Sequence, residues 1–173
     1  MKPFAIFAFL IVALALTNVV RAFSAASASA PTVSLDVRHA GPRQIEDATQ
    51  KAIIRDYAAA WQNMTTALEQ NSPDLLGGQF VGTASEKLAK TIQEQKKAGL
   101  HRRYVDRGHK VEAVFYSPEG SAIELHDDAQ LQVQYLDGSK VVGSEDLTAH
   151  YLVLMTAAAD SWKVRVLQQV PSY

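Results

Sequence analysis

The sequence contains no cysteine, and this absence removes three kinds of chemistry. Disulfide bonds, thiolate nucleophiles and cysteine-ligated metal sites all need that side chain. Strong charge of either sign is also missing, because the formal net charge is -1 at pH 7. No overall electrostatic field therefore attracts nucleic acid, and we expect no nucleic-acid partner. Serine nucleophile elbows, phosphate-binding loops and dinucleotide-binding glycine patterns are absent as well.

The first 22 residues have the pattern of a secretory signal. Lys2 precedes an apolar run from Phe4 to Leu16, and small residues follow that run. Two cleavage sites fit, one after Ala22 and one after Ala28. The pattern favours a cleaved signal and an exported protein, periplasmic or secreted. The alternative is an uncleaved anchor, since two further valines bring the run near membrane-spanning length, and the membrane would then be contacted only there.

Residues 23–42 are rich in alanine and serine and contain two prolines, which predicts a flexible linker. One domain over residues 43–173 would follow, long enough for a hydrophobic core. Apolar residues at helical spacing predict a long helix over 43–70, with Pro42 beside its first turn. A short helix should follow from Ser72, and a third should run to residue 98 from a capping box that begins at Thr83.

Beyond Gly99 the apolar residues alternate with polar ones, which predicts β-strands. The segment 117–120 and the pair Asp137-Gly138 are turn signals, and residues 140–157 form a long third strand. Consecutive strands joined by short turns pair antiparallel. The predicted fold class is therefore α+β, with three N-terminal helices packed on a curved four-stranded antiparallel meander.

Three segments carry a resemblance to a known superfamily: IIRDYAAAWQNMTTAL, LLGGQFVGTASEKLAKTIQEQKKAGLHRRY and YLVLMTAAADSWKVRVLQQV. They resemble the nuclear-transport-factor-2-like (NTF2-like), or cystatin-like, superfamily over residues 43–170. Their pattern is most similar to the intermembrane-space-type domain of plastid-division proteins. The resemblance implies a cone-shaped α+β roll and a homodimer through the outer sheet face. Enzymes of the superfamily, isomerases and dehydratases, use acidic and histidine residues inside the cone, but their specific pattern is not matched here.

Strand alternation predicts a pair of ionisable residues inside the cone. In the first predicted strand His109 shares the apolar face with Val105, Arg107, Val111 and Phe115. Asp127 falls on the apolar face of the next strand, so the two side chains are expected to come within reach. A carboxylate fixes the tautomer of a histidine and raises its basicity, which suits proton transfer. We favour the alternative of a structural ion pair or hydrogen bond.

Three aromatic residues are further candidates for a ligand site. Tyr57 and Trp61 project from the long helix toward the sheet, where aromatic side chains line a pocket or fill the core. Tyr104 lies in a basic stretch, Lys90 to Lys110, which holds seven cationic and two acidic residues. Such a stretch can bind phosphates or an anionic membrane surface, but its cations spread over several faces, so a solvated surface is favoured.

The segment 125–128, with His150 and nearby acidic residues, raises the question of zinc. Because no compact spacing such as H-E-x-x-H is present, we predict no metal site. We also expect no cofactor and assign no catalytic residue. The predicted function is an exported, non-enzymatic domain that binds a small apolar ligand, a peptide or a partner protein through its concave sheet face. The candidate ligand-binding residues are Tyr57, Trp61, Tyr104, His109 and Asp127. Two alternatives stay open: an isomerase or dehydratase that uses the His109–Asp127 pair, and a membrane-tethered assembly subunit.

Overall fold

The computed structural model describes residues 31–173, so the predicted signal or anchor lies outside the described residues. The elements in chain order are β1 (Val33–Asp36), α1 (Asp47–Glu69), a 3-10 helix (Pro73–Gln79), α2 (Gly82–Lys97), β2 (His101–Tyr116), β3 (Ala122–Asp137), β4 (Lys140–Ala157) and β5 (Trp162–Val170). Within residues 31–173, no helix has the length and apolar character needed to cross a membrane.

The five strands form one mixed sheet in the order β1-β2-β3-β4-β5. The strands β2 to β5 pair antiparallel, whereas β1 pairs parallel with β2 at the edge. The α+β class is confirmed, and the four-stranded prediction is corrected to five strands. The added strand lies within residues 23–42, where a linker was expected. Val33 and Leu35 pack against the core, and this non-local contact orders a segment too short to identify by its own pattern.

The helix starts also differ from their predicted positions. Residues before Asp47 remain non-helical, because Pro42 forms a parallel bridge with Tyr116 instead of entering a helical turn. The expected capping box is wrong, since α2 has Val81 as its N-cap and no side-chain cap. The hydroxyl of Thr83 instead donates to the backbone oxygen of Arg165 at 3.0 Å. Contacts with the sheet therefore set both helix starts.

One hydrophobic core fills the space between α1 and the concave face of the sheet. Its fully buried members include Ile53, Tyr57, Trp61, Ile92, Ile123, Leu125, Leu131, Val153, Met155 and Val164. Burying a large apolar side chain contributes about 1.5–3 kcal/mol, so these contacts hold α1 over the sheet. A polar contact adds to them, because Asp56 Oδ2 accepts the backbone N–H of Trp162 at 2.7 Å and joins α1 to β5.

A β-bulge in β2 changes which side chains face the core. The pairing register with β3 shifts between Asp106 and Gly108, and Gly108 has φ +130°, a conformation that L side chains rarely adopt. Val105, predicted to face the core, is 37% exposed. Arg107, also predicted inward, forms an ion pair with Asp146 at 2.9 Å and is half exposed. Plain alternation is therefore wrong for Arg107, which is the extra residue of the bulge, and for Val105, which precedes it.

A second register shift, between Ala113 and Phe115, reverses the faces of β2 again. Phe115 was predicted on the apolar inner face but is 40% exposed, while Tyr116 is buried. Each bulge adds one residue to a single strand, so the side chains beyond it exchange faces.

Candidate functional site

His109 lies between two aspartates in the interior of the cone. Its Nδ1 atom is 2.8 Å from Asp127 Oδ2, and its Nε2 atom is 2.7 Å from Asp106 Oδ2. The side chains of His109 and Asp127 are both 0% exposed. Two carboxylate oxygens beside the two ring nitrogens match an imidazolium, in which both nitrogens donate. The predicted contact between His109 and Asp127 is thus present, with Asp106 as an additional partner.

The two carboxylates determine the charge of the histidine ring. Burial lowers the pKa of His109, but the hydrogen bonds and charges of Asp106 and Asp127 outweigh burial and raise that pKa to about 9. The imidazolium is therefore the main form at neutral pH. A general base needs a neutral ring nitrogen with a free lone pair, and neither nitrogen of His109 offers one in this state.

The bulge in β2 allows the second carboxylate, that of Asp106, to contact His109. In a regular strand, residues three apart point to opposite faces, so Asp106 and His109 would be separated. The extra residue of the bulge brings both to the inner face, and Asp106 Oδ1 accepts the backbone N–H of Gly108 at 2.8 Å. Asp106 was not among the site residues predicted from the sequence. A glycine inside a strand pattern is the signal that predicts such a bulge.

Two aromatic residues of α1 complete the arrangement, named here the His109 cluster: Tyr57, Trp61, Asp106, His109 and Asp127. The Tyr57 hydroxyl donates to Asp127 Oδ2 at 2.6 Å. Burial, followed by the charge of Asp127, raises the pKa of Tyr57 well above its ordinary value, so the phenol stays neutral. The ring centroids of Trp61 and His109 are 4.4 Å apart, within the range in which an aromatic ring attracts a cation.

Four of the five residues of the His109 cluster are closed to solvent, and the side chain of the fifth, Asp106, is 9% exposed. Tyr57 and Trp61 are each 1% exposed, and His109 is 2% exposed. In the described part of the chain, Trp61 Nε1 and Asp127 Oδ1 are buried polar atoms without a hydrogen-bond partner. Core side chains therefore fill the interior of the cone around His109, and a ligand would have to displace them to contact the cluster. The ligand-binding role predicted from the sequence for four residues of the cluster stays a prediction; these are Tyr57, Trp61, His109 and Asp127.

An open cleft of about 200 Å³ lies beside the cluster, lined by residues of α1, α2 and the sheet. Met64, Leu68, Leu88 and Leu167 are among its apolar lining residues. Of the five predicted ligand-binding residues, Tyr104 alone lines this cleft, together with Tyr151 from β4. The Tyr151 ring centroid is 5.3 Å from that of Trp61, so the cleft begins where the His109 cluster ends.

Five polar side chains line the cleft: Lys87, Thr91, Tyr104, Tyr151 and Gln169. None of these five side chains forms a hydrogen bond or an ion pair with another residue between 31 and 173. Burial, with smaller effects of Tyr104 and Asp127, raises the pKa of Tyr151, which therefore remains a neutral phenol. Lys87 and Tyr151 were not predicted from the sequence, because the cleft exists only once α2 and β4 are placed together.

The basic stretch of the sequence does not form one continuous patch. Arg103 pairs with Glu69 at 2.7 Å, and Lys90 pairs with Glu94 at 3.8 Å. In the described residues no group of three or more histidine, cysteine, aspartate or glutamate side chains is arranged to hold a metal ion. The histidine considered for zinc, His150, instead lies with its Nδ1 atom 2.5 Å from Oδ1 of Asp128.

Known proteins share the fold of this chain but not its sequence. No family model matches the chain, and no curated protein matches it. The intermembrane space region of the chloroplast protein ARC6 is similar in structure, with a TM-score of 0.62 and 14% identity. That similarity covers 75% of this chain and 98% of the ARC6 region.

Two further solved structures are less similar to this chain. A putative scytalone dehydratase from Novosphingobium aromaticivorans has a TM-score of 0.46 and 14% identity, over 70% of this chain and 83% of its own. A domain of unknown function with a cystatin-like fold from Nostoc punctiforme has a TM-score of 0.42 and 11% identity, over 73% and 78%. At such identities the likeness concerns the fold alone. The chain thus shares its fold with the ARC6 region, in agreement with the resemblance to the intermembrane-space-type domain of plastid-division proteins.

Proposed function

We propose that the protein is an exported, non-enzymatic NTF2-like domain that binds a small, mainly apolar molecule in the cleft beside Tyr104 and Tyr151. One observation carries this proposal: an open apolar cleft contains polar side chains that have no partner within residues 31–173. Ligand sites in proteins are typically concave and apolar, with a few polar groups that orient the ligand. The cleft has this composition.

The size of the cleft limits what it can bind. Its volume of about 200 Å³ lies below the ~300–1,000 Å³ that is common for drug-sized ligands. The occupant is therefore a compact molecule, or one apolar group of a larger partner. The apolar side chains Met64, Leu68 and Leu88 would contact its body through dispersion and the hydrophobic effect.

Catalysis by the His109–Asp127 pair has less support. Neither side chain reaches the cleft lining, and both ring nitrogens of His109 already contact carboxylates. A proton-transfer group must lie within about 3 Å of the reacting atom, directly or through one water. The His109 cluster is better explained as a buried ion pair that holds β2, β3 and α1 together.

Export rests on the N-terminal 22 residues. Their apolar run and small residues suit cleavage by a signal peptidase, and retention of the run would instead tether the domain to a membrane. The ARC6 region is, by its name, located in an intermembrane space, which agrees with a domain outside the cytoplasm. Mass spectrometry of the mature N-terminus distinguishes cleavage after Ala22 or Ala28 from retention.

The cleft is tested with two eight-carbon probes, 1-octanol and octanoate, titrated into the protein by calorimetry. We expect saturable binding of at least one probe. Thr91 lies on the exposed side of the cleft lining, so Thr91→Trp should block entry and abolish binding. Gln93→Trp places the same ring on an exposed position of α2 outside the lining and should bind normally. Failure of both probes to bind, or equal binding by the two variants, contradicts the proposal.

A further inference from the structure

The cleft lining carries a positive charge and no negative charge. Lys87 is the cationic lining residue, and no aspartate or glutamate lines the cleft. Lys87 also has no carboxylate within ion-pair distance in the described part of the chain. On the same helix, by contrast, Lys90 pairs with Glu94 at 3.8 Å. An exposed cation thus stands at the edge of an apolar cleft without a counter-charge of the protein itself.

A lone cation favours an anionic ligand, and the neutral polar side chains of the lining can add to that preference. Thr91 follows Lys87 by one helical turn, so the two side chains are neighbours on the same face of α2. The hydroxyls of Thr91, Tyr104 and Tyr151 can each donate a hydrogen bond, and none of them does so to a residue between 31 and 173. A ligand that brings acceptor atoms would give these hydroxyls hydrogen-bond partners.

We propose, building on the proposed function, that the cleft selects small apolar molecules that carry one carboxylate. The apolar body packs against Met64, Leu68 and Leu88. The carboxylate stays at the cleft edge, where it pairs with Lys87 and accepts from Thr91. An amine of the same size finds no acidic partner and is repelled by Lys87, and an alcohol gains no ion pair.

The test compares three probes that share one apolar chain: octanoate, 1-octanol and octylamine. Calorimetric titration at low salt should rank octanoate as the tightest and octylamine as the weakest. Lys87→Gln should weaken octanoate binding about three- to fivefold, the range of an exposed ion pair, and leave octanol unchanged. Lys97→Gln removes the same charge from the last turn of α2, outside the lining, and should leave both affinities unchanged.

Ionic strength supplies an independent measurement that needs no variant. Octanoate affinity should fall as sodium chloride rises from 20 to 500 mM, because salt screens the ion pair, while octanol affinity should not fall. Equal affinities for octanoate and octanol, or an unchanged octanoate affinity in Lys87→Gln, overturn the acid selectivity and leave the proposed function intact. Failure of octanoate and octanol alike to bind overturns the proposed function instead.

Discussion

His109 contacts Asp127 diagonally across the ladder between β2 and β3. The register pairs His109 with Ala129 and Asp127 with Val111, so the two side chains are two residue pairs apart along the ladder and meet on the inner face. The Nδ1–Oδ2 distance of 2.8 Å is that of a charge-assisted hydrogen bond. Both side chains are fully buried, and the removal of one partner from a buried ion pair costs about 3–5 kcal/mol.

The free energy of unfolding should depend on pH through His109. Its folded pKa of about 9 exceeds the ordinary value of 6.5, so its stabilisation is complete below pH 6.5 and is lost as pH rises through 9. A shift of this size corresponds to about 3 kcal/mol. The phenol of the cluster, Tyr57, and the neighbouring phenol of Tyr151 have raised pKa values and stay neutral over this window. Urea unfolding at pH 6, 7.5 and 9 measures the loss.

The variant His109→Gln isolates this contribution. It should be less stable than the natural protein at pH 6 and should show a much smaller change between pH 6.5 and 9. If the free energy of unfolding of the variant changes with pH as steeply as that of the natural protein, other groups cause the change and the prediction is wrong.

Asp127→Asn should lower the pKa of His109. The substitution removes one of the two carboxylate charges that oppose burial, while Asp106 keeps its contact with the ring. An NMR titration of the histidine ring protons measures the change. Asp128→Asn is the matched control, because Asp128 contacts His150 and should leave the His109 titration where it is. If His109 titrates identically in the two variants, the charge of Asp127 does not act on the His109 ring and the prediction is wrong.

Gly108→Ala should destabilise the fold by about 1–3 kcal/mol, the cost of placing an L side chain in a disallowed backbone conformation. The nearest atom to an added Cβ is Thr32 O at 3.6 Å, an ordinary contact, so the cost comes from the φ of +130°. Gly143→Ala is the control, since its φ is ordinary and its nearest contact, Tyr135, is 3.8 Å away. Denaturant midpoints of the two variants should differ clearly, and similar midpoints would mean that the bulge does not need glycine.

Asp56→Ala should cost about 1–3 kcal/mol, because it leaves the backbone N–H of Trp162 buried without its acceptor. Asp56 also forms an ion pair with the exposed Arg55, and a change of Arg55 separates the contribution of this ion pair from that of the hydrogen bond. Arg55→Ala keeps the hydrogen bond and should cost less than about 1 kcal/mol. If thermal unfolding ranks the two variants the other way, the ion pair and not the hydrogen bond joins α1 to β5.

Much of the fold follows from local patterns. The helix predicted over 43–70 is α1, which runs from Asp47 to Glu69, and the strand predicted over 140–157 is β4. Helical and strand periods repeat every few residues, so a single sequence displays them without knowledge of the partner surface. The turn at Asp137-Gly138 is a comparable local signal.

The errors concern features that depend on distant residues. β1 has four residues, and its place in the sheet depends on Val33 and Leu35 packing against a core formed later in the chain. Pro42 suits a helix start by its own geometry, yet it bridges to Tyr116. The bulge at Gly108 moves Asp106 inward, although alternation placed it outward. In each case a tertiary contact outweighs a weak local preference.

Three segments of the sequence carry the resemblance to the NTF2-like superfamily. The sequence by itself determined the α+β class and the meeting of His109 with Asp127, because both depend on periodicity and on turns between neighbouring strands. Only the tertiary structure decided that this pair is sealed in the core while Tyr104 and Tyr151 line an open cleft. Burial depends on how α1 and α2 lie over the sheet and on where the bulges shift its register. Those positions result from many weak contacts between distant residues, which no short stretch of sequence contains.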